Sequence, residues 1–193
     1  MTNALYAQTA VQARRLARYA RYGPADLLDA VRGRRADLVP PRRLDFVGRT
    51  GFEEMGQHFL RHFIALGGLT PDDEVLDVGC GIGRMAVPLT GYLAPDARYA
   101  GFDIVPEGIR WCQRHITALR PSFSFELADV HNPRYNPRGS QPADAYTFPY
   151  GEERFDFAFA TSLFTHLQPA AIDRYLREIG RVLRPGGRAL VTF

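Results

Sequence analysis

Three glycines spaced two apart, Gly79, Gly81 and Gly83, stand in the stretch EVLDVGCGIGRMAVPL between an apolar run and a renewed apolar pattern. Glycines at such a junction allow a tight turn and let a ligand approach the main chain. Two acids accompany them. Asp77 lies inside the motif, and Asp103 ends the next apolar run, 20 residues beyond Gly83. An acid at the end of a second strand can accept hydrogen bonds from both hydroxyls of a ribose. Two cofactor chemistries use such a turn. A nicotinamide or flavin dinucleotide favours G-x-G-x-x-G, with its pyrophosphate on the helix N-terminus. Here Arg84 occupies the place of the last glycine. Asp77 would repel a pyrophosphate and would suit a ligand carrying a positive amino group.

Proton-transfer chemistry has one main candidate. His166, in TSLFTHL, follows a later apolar run, and a histidine there can deprotonate a hydroxyl near neutral pH. Helix capping or polar packing is the alternative use for it. His131, two residues after Asp129, is a second candidate, whereas His58, His62 and His115 fall within helical patterns. Cys80 opens a helix, a place that can lower a thiol pKa, but its side chain reads as structural. Cys80 and Cys112 are the only cysteines and have no metal-ligand spacing. No metal site is expected, and a reduced, cytoplasmic compartment fits them.

The elements that must position these residues alternate. Short apolar runs at EVLDVG, RYAGFD, FSFELA, FDFAFA and RALVTF are separated by helical patterns at 82–94, 106–120 and 167–183. Strand–helix alternation predicts an α/β fold with a doubly wound parallel sheet. Pro88 is a misfit inside 82–94, where it should bend the helix. A helix with Phe52, Met55, Phe59 and Phe63 on one face closes at Gly67-Gly68. Ahead of it, residues 4–21 form a first helix with Leu5, Val11, Leu16 and Ala20 on one stripe. Gly23-Pro24 is expected to stop it, Pro24 to open a short helix to about Val31, and residues 33–50 to form a linker.

The whole chain has 193 residues and a net charge of +3. Residues 1–49 hold ten Arg and four Asp, or +6, leaving −3 for the remainder. A basic front end can meet nucleic acid or anionic lipid, or can be a solvated helix face. No apolar run approaches the ~20 residues that span a bilayer, and MTNALYAQTAVQARR lacks the apolar core of a signal peptide.

VLDVGCGIG resembles motif I of the class I S-adenosylmethionine-dependent methyltransferases. The resemblance continues in order through YAGFDIVPEGIRWC, FELADV, FDFAFATSLFTHL and YLREIGRVLRPGGRALVTF, from about Phe52 to Phe193. It implies a Rossmann-like domain over 50–193 behind an N-terminal helical extension over 1–49. It also implies an S-adenosyl-L-methionine cofactor. Asp77 and the main chain around Gly79, Cys80 and Gly81 would hold the methionine part. Asp103 would take the ribose, Ile104 the adenine ring, Asp129 and the Val130 amide the adenine edge, and Ala160 and Thr161 the sulfonium region. His166 then points to oxygen methylation of a small molecule. The alternatives are an NAD(P)-dependent oxidoreductase or a non-catalytic nucleotide- or nucleic-acid-binding protein. No nucleic-acid-binding module is recognisable, and ATSLF stands where amine methylases of nucleic acids carry an asparagine-proline-proline-aromatic signature.

Two departures from the family carry expectations. Asp129–Asp156 is a long loop where the family has a short helix. Its Tyr135, Tyr146, Phe148, Arg134 and Arg138 could bind a polar or anionic acceptor. The family's sheet also runs to seven strands, in the order 3-2-1-4-5-7-6, and this sequence ends on the fifth. The resemblance therefore implies a truncated methyltransferase that keeps the cofactor site but binds acceptor poorly, with edge strand 188–193 either pairing with another chain or shielded by other residues. The alternative is a natural minimal form whose N-terminal segment replaces the lost strands.

Overall fold

Apolar runs buried on both faces are what a parallel sheet requires, and three of the five strands are of this kind or nearly so. The computed structural model describes residues 2–33, 36–46 and 51–193. β1 (Val75–Val78) is buried throughout; β2 (Tyr99–Asp103) and β4 (Phe155–Ala160) are buried but for one residue each. β3 (Phe123–Leu127) and β5 (Leu183–Val191) are the edges, and all neighbours run parallel in the order β3-β2-β1-β4-β5. The reversal of strand order beside β1 opens a crevice at the strands' carboxyl ends.

Side-chain alternation along the strands divides the core into two layers. Val75, Tyr99, Phe123, Phe157 and Phe159 point to one face and meet α2 (Phe52–Ala65), α3 (Ala86–Tyr92) and α4 (Pro106–Cys112). Phe63 of α2 stacks on Phe159 with ring centroids 4.3 Å apart. Leu76, Ala100, Phe102, Ala158 and Ala160 point the other way, towards α5 (Pro169–Val182).

Much of that second layer comes from the segment expected to be a binding loop. Tyr146, Phe148 and Tyr150 are buried among Phe102, Phe155 and Tyr175. Aromatic rings there replace a helix, and the main chain they carry has no helical partners of its own. α5 provides them. Arg174 donates to the Tyr146 carbonyl at 2.9 Å, and Arg181 donates to the carbonyls of Tyr150 at 3.0 Å and Phe148 at 3.2 Å. The buried Glu178 carboxylate accepts the Phe148 N–H at 2.8 Å. Tyr146 and Phe148 are thus core residues, not acceptor-binding ones.

Local propensity was overridden at several places. α1 runs unbroken from Thr2 to Val31 with Pro24 inside it. The helix beyond Pro24 is held from outside. Asp26, almost fully buried, accepts the N–H groups of Arg42 at 2.8 Å and Arg43 at 3.1 Å and a guanidinium bond from Arg43. Leu16, on the apolar stripe of α1, is 69% exposed and does not dock the helix. Arginines dock it instead. Arg15 and Arg18 pair with Glu107 at the start of α4, and Arg14 donates to the Arg134 carbonyl at 2.7 Å. The expected boundary at residues 49 and 50, and Arg34 and Arg35 of the linker, lie outside the described residues.

α3 begins only at Ala86, so Pro88 falls in its first turn, where a missing N–H costs little. α4 passes into a π-helical turn over Gln113–Thr117, from which Gln113 and Thr117 donate to the β3 carbonyls of Phe125 and Phe123. No helix among the described residues is long and apolar enough to cross a membrane.

Candidate active site

A cavity of about 360 Å³ opens in the crevice at the strand ends. Asp77, Gly79, Cys80, Gly81, Asp103, Ile104, Val130, Thr161 and His166 line it, so residues far apart in the chain meet around one space. Gly79 and Gly81 have φ of +83° and +58°, values that favour glycine, and so the turn brings bare main chain to the cavity wall. Gly83 does not line the cavity. A side chain there would meet Ile116 at 2.6 Å and the Cys112 sulfur at 2.9 Å, so its want of a Cβ serves helix packing.

Asp77 is buried at the end of β1 beneath this turn. The Tyr99 hydroxyl donates to its Oδ2 at 2.6 Å, while Oδ1 has no hydrogen-bond partner among the described residues. Burial pushes its carboxyl from 3.8 up to about 8; the Tyr99 bond works against that rise, and nearby Asp103 adds to it. A buried acceptor without a donor costs free energy on the order of 1–3 kcal/mol, which a cationic ligand group would relieve.

Asp103 sits across the turn. Its Oδ2 accepts the Gly81 N–H at 2.9 Å and its Oδ1 the Val105 N–H at 2.8 Å. Burial raises its carboxyl to about 6, and these main-chain bonds restrain the rise. Each oxygen keeps acceptor capacity beyond its one bond.

Asp129 lies outside the cavity lining. Its carboxylate accepts both the N–H (3.2 Å) and the hydroxyl of Ser140, and Gln141 forms an isolated bridge with Val130 beside it. That bridge uses the Asp129 carbonyl and the His131 N–H and leaves the Val130 N–H out of it. His166 lies on a 3₁₀ turn (Phe164–His166), exposed, with its ring edge-on to Tyr135 at 5.9 Å.

Several lining residues escaped sequence reasoning. Phe46 comes from the turns ahead of α2 and Tyr175 from α5. Ser162 follows β4 with φ of +57°, uncommon for a residue with a side chain, and its N–H donates to Thr192 at 2.8 Å. Gly108 of α4 lies so close to the Gly81 carbonyl that no side chain fits between them. Arg84 lines the cavity with Asp45 at 3.4 Å and Phe52 beneath its guanidinium.

The family described as methyltransferase domain matches residues 75–187. A phthiotriol/phenolphthiotriol dimycocerosates methyltransferase of Mycobacterium ulcerans is 36% identical over 119 residues, covering 62% of this chain and 36% of that protein. A fatty-acid O-methyltransferase of Mycolicibacterium smegmatis is 35% identical over 121 residues, with the same shares covered. The chain thus spans less than half the length of these curated relatives. Among solved structures, a SAM-dependent methyltransferase from Aquifex aeolicus superposes with a TM-score of 0.52 at 18% identity, covering 70% of this chain and 62% of its own, a likeness of fold. With a five-stranded parallel sheet and a family match over more than half its length, the chain belongs to the methyltransferase-domain family of class I S-adenosylmethionine-dependent methyltransferases.

Proposed function

We propose that this chain binds S-adenosylmethionine in the crevice cavity and transfers its methyl group to an oxygen atom of a small molecule. The observation that carries the reading is Asp77. A buried carboxylate oxygen without a donor suits an ammonium group and opposes a pyrophosphate, which argues against a dinucleotide. When bound, the cofactor supplies an electrophilic methyl on a sulfonium. The chain's own residues hold and orient. Asp77 takes the amino group, the main chain at Gly79, Cys80 and Gly81 borders the methionine, and Asp103 accepts the ribose hydroxyls. Ile104 and the Val130 amide meet the adenine, while Asp129 acts through Ser140 by ordering the segment that carries Val130. Thr161 faces the sulfonium side.

Orientation of donor and acceptor can lower a barrier by roughly 7–11 kcal/mol, so little further chemistry is demanded of the protein. A hydroxyl acceptor must still lose its proton, and His166 on the cavity wall is the residue to take it. The relative described as a fatty-acid O-methyltransferase supports oxygen as the accepting atom.

Calorimetric titration with S-adenosylhomocysteine, NAD and NADP tests the cofactor. S-adenosylhomocysteine should bind and the dinucleotides should not, and Asp103→Ala should weaken binding by about 1.5–3 kcal/mol. Tighter NAD binding, or unchanged affinity in a folded Asp103→Ala protein, would overturn the assignment. A product methylated on nitrogen or carbon would overturn the oxygen acceptor alone.

A further inference from the structure

A second cavity, of about 390 Å³, lies between α1, the start of α4 and residues 134–138. Six arginines line it: Arg14, Arg15 and Arg18 from α1, Arg110 from α4, and Arg134 and Arg138 from the segment after Asp129. Glu107 is the one acid among its lining residues, and it is already shared by Arg15 and Arg18. Among the described residues, the Arg110 side chain has neither a hydrogen-bond nor an ion-pair partner. The Arg134 guanidinium lies over Tyr135, 5.5 Å from the ring centre, and its carbonyl is what anchors Arg14. Like charges gathered around a concavity repel one another, and low-dielectric walls focus their field on the space between. An anion entering that space relieves the repulsion, and guanidinium forks match carboxylate and phosphate oxygens.

The two cavities share Phe46, Val105 and Tyr135. An occupant of the arginine cavity therefore abuts the crevice across an apolar and aromatic rim, on the side where His166 meets Tyr135. We propose that the arginine cavity holds the anionic end of the methyl acceptor: a small molecule with a phosphate or carboxylate at one end, an apolar or aromatic middle at the rim, and the accepting atom in the crevice. This substrate class rests on the methyltransferase reading above. The anion site itself does not, and it can be tested without the cofactor.

The probes are inorganic phosphate and acetate, titrated calorimetrically into the full chain with and without S-adenosylhomocysteine. At least one anion should bind in both conditions, and the stronger of the two identifies the acceptor's anionic group. Arg110→Gln/Arg134→Gln should weaken that binding about tenfold or more, the scale of losing one bond to a charged group, and leave S-adenosylhomocysteine affinity unchanged. Arg110→Gln alone serves if the double variant is unstable. Arg177→Gln, on the exposed face of α5, should leave anion binding as it is. Absence of binding by both anions would overturn the proposal, as would equal loss in Arg177→Gln. So would tight, steeply salt-dependent binding of an RNA oligonucleotide by a chain that ignores phosphate and acetate, which would make the cavity part of a nucleic-acid surface. Loss of S-adenosylhomocysteine binding with anion binding intact would count against the cofactor reading and leave the anion site standing.

Discussion

Two connections leave the same end of the sheet and are built on opposite principles. The turn after β1, residues 79–85, brings the bare main chain of Gly79 and Gly81 to a cavity and keeps an acid beneath it with one oxygen unengaged. The 146–150 part of the connection between β3 and β4 is as rich in polar and aromatic groups, yet the carbonyls of Tyr146, Phe148 and Tyr150 are all bonded by arginines of α5. The first leaves one Asp77 oxygen without a partner among the described residues, and the second engages its carbonyls in the fold. Residue types alone do not separate these cases. The state of the polar atoms does.

Substitutions in each connection should therefore fail in different ways. Glu178→Ala removes the acceptor for the Phe148 N–H and the partner of Arg181. It should lower unfolding free energy by about 3 kcal/mol with near-unchanged S-adenosylhomocysteine affinity, read by denaturant titration and calorimetry on the same sample. A large loss of affinity with stability retained would erase the distinction. Asp77→Asn should behave inversely. At pH 8 it should weaken S-adenosylhomocysteine by about 2 kcal/mol while leaving the free protein no less stable.

Titration sharpens the contrast further. Asp77 rises on folding from 3.8 to about 8. Below 3.8 both folded and unfolded chains hold the proton. Between those values the unfolded chain has released it and the folded one retains it, so unfolding releases a proton. The stability associated with protonated Asp77 is thus complete below 3.8 and is lost as pH rises through about 8. A cationic ligand selects the ionised form, so its affinity should rise by about 1.4 kcal/mol per unit between pH 6 and 7 and level off near 8. Calorimetry in buffers of different ionisation enthalpy should record proton release. Asp77→Asn should flatten the profile, and a profile that stays steep would assign the titration elsewhere. The smallest effect on binding is expected at His166. His166→Ala should change S-adenosylhomocysteine affinity by less than about 0.5 kcal/mol and slow turnover on a hydroxyl acceptor. Unaltered turnover across the pH range would retire it as the base.

The parts legible in the sequence were those fixed by local chemistry. Strands buried on both faces announce themselves as apolar runs, and Gly79 and Gly81 mark a turn that few other residues could make. Asp103 is last on its strand, Thr161 comes next after its own, and Asp77 lies one residue before the end of β1, so all three are placed near the crevice by their strands. What could not be read depends on partners distant in sequence. Pro24 looks like a helix stop because its ~3 kcal/mol penalty is local, whereas the compensating bonds of Asp26 reach residues 42 and 43. Tyr146 and Phe148 look like a ligand platform until α5 is placed beside them. The bulge in β5 hides similarly. Leu183 pairs with Phe155 and Arg188 with Phe157, so Pro185-Gly186-Gly187 is absorbed within a strand that read as beginning only after it.

The fit of α4 against the glycine turn has an optical consequence. Trp111 is the chain's single tryptophan, and it is buried one turn along from Gly108, which touches the Gly81 carbonyl. Its indole stacks on His115 with centroids 4.9 Å apart. A single indole fixed to the helix that braces the turn, excited apart from the tyrosines, converts small displacements there into changes of emission. The molecule therefore carries its own reporter, by which events in the crevice can be followed in real time without a label.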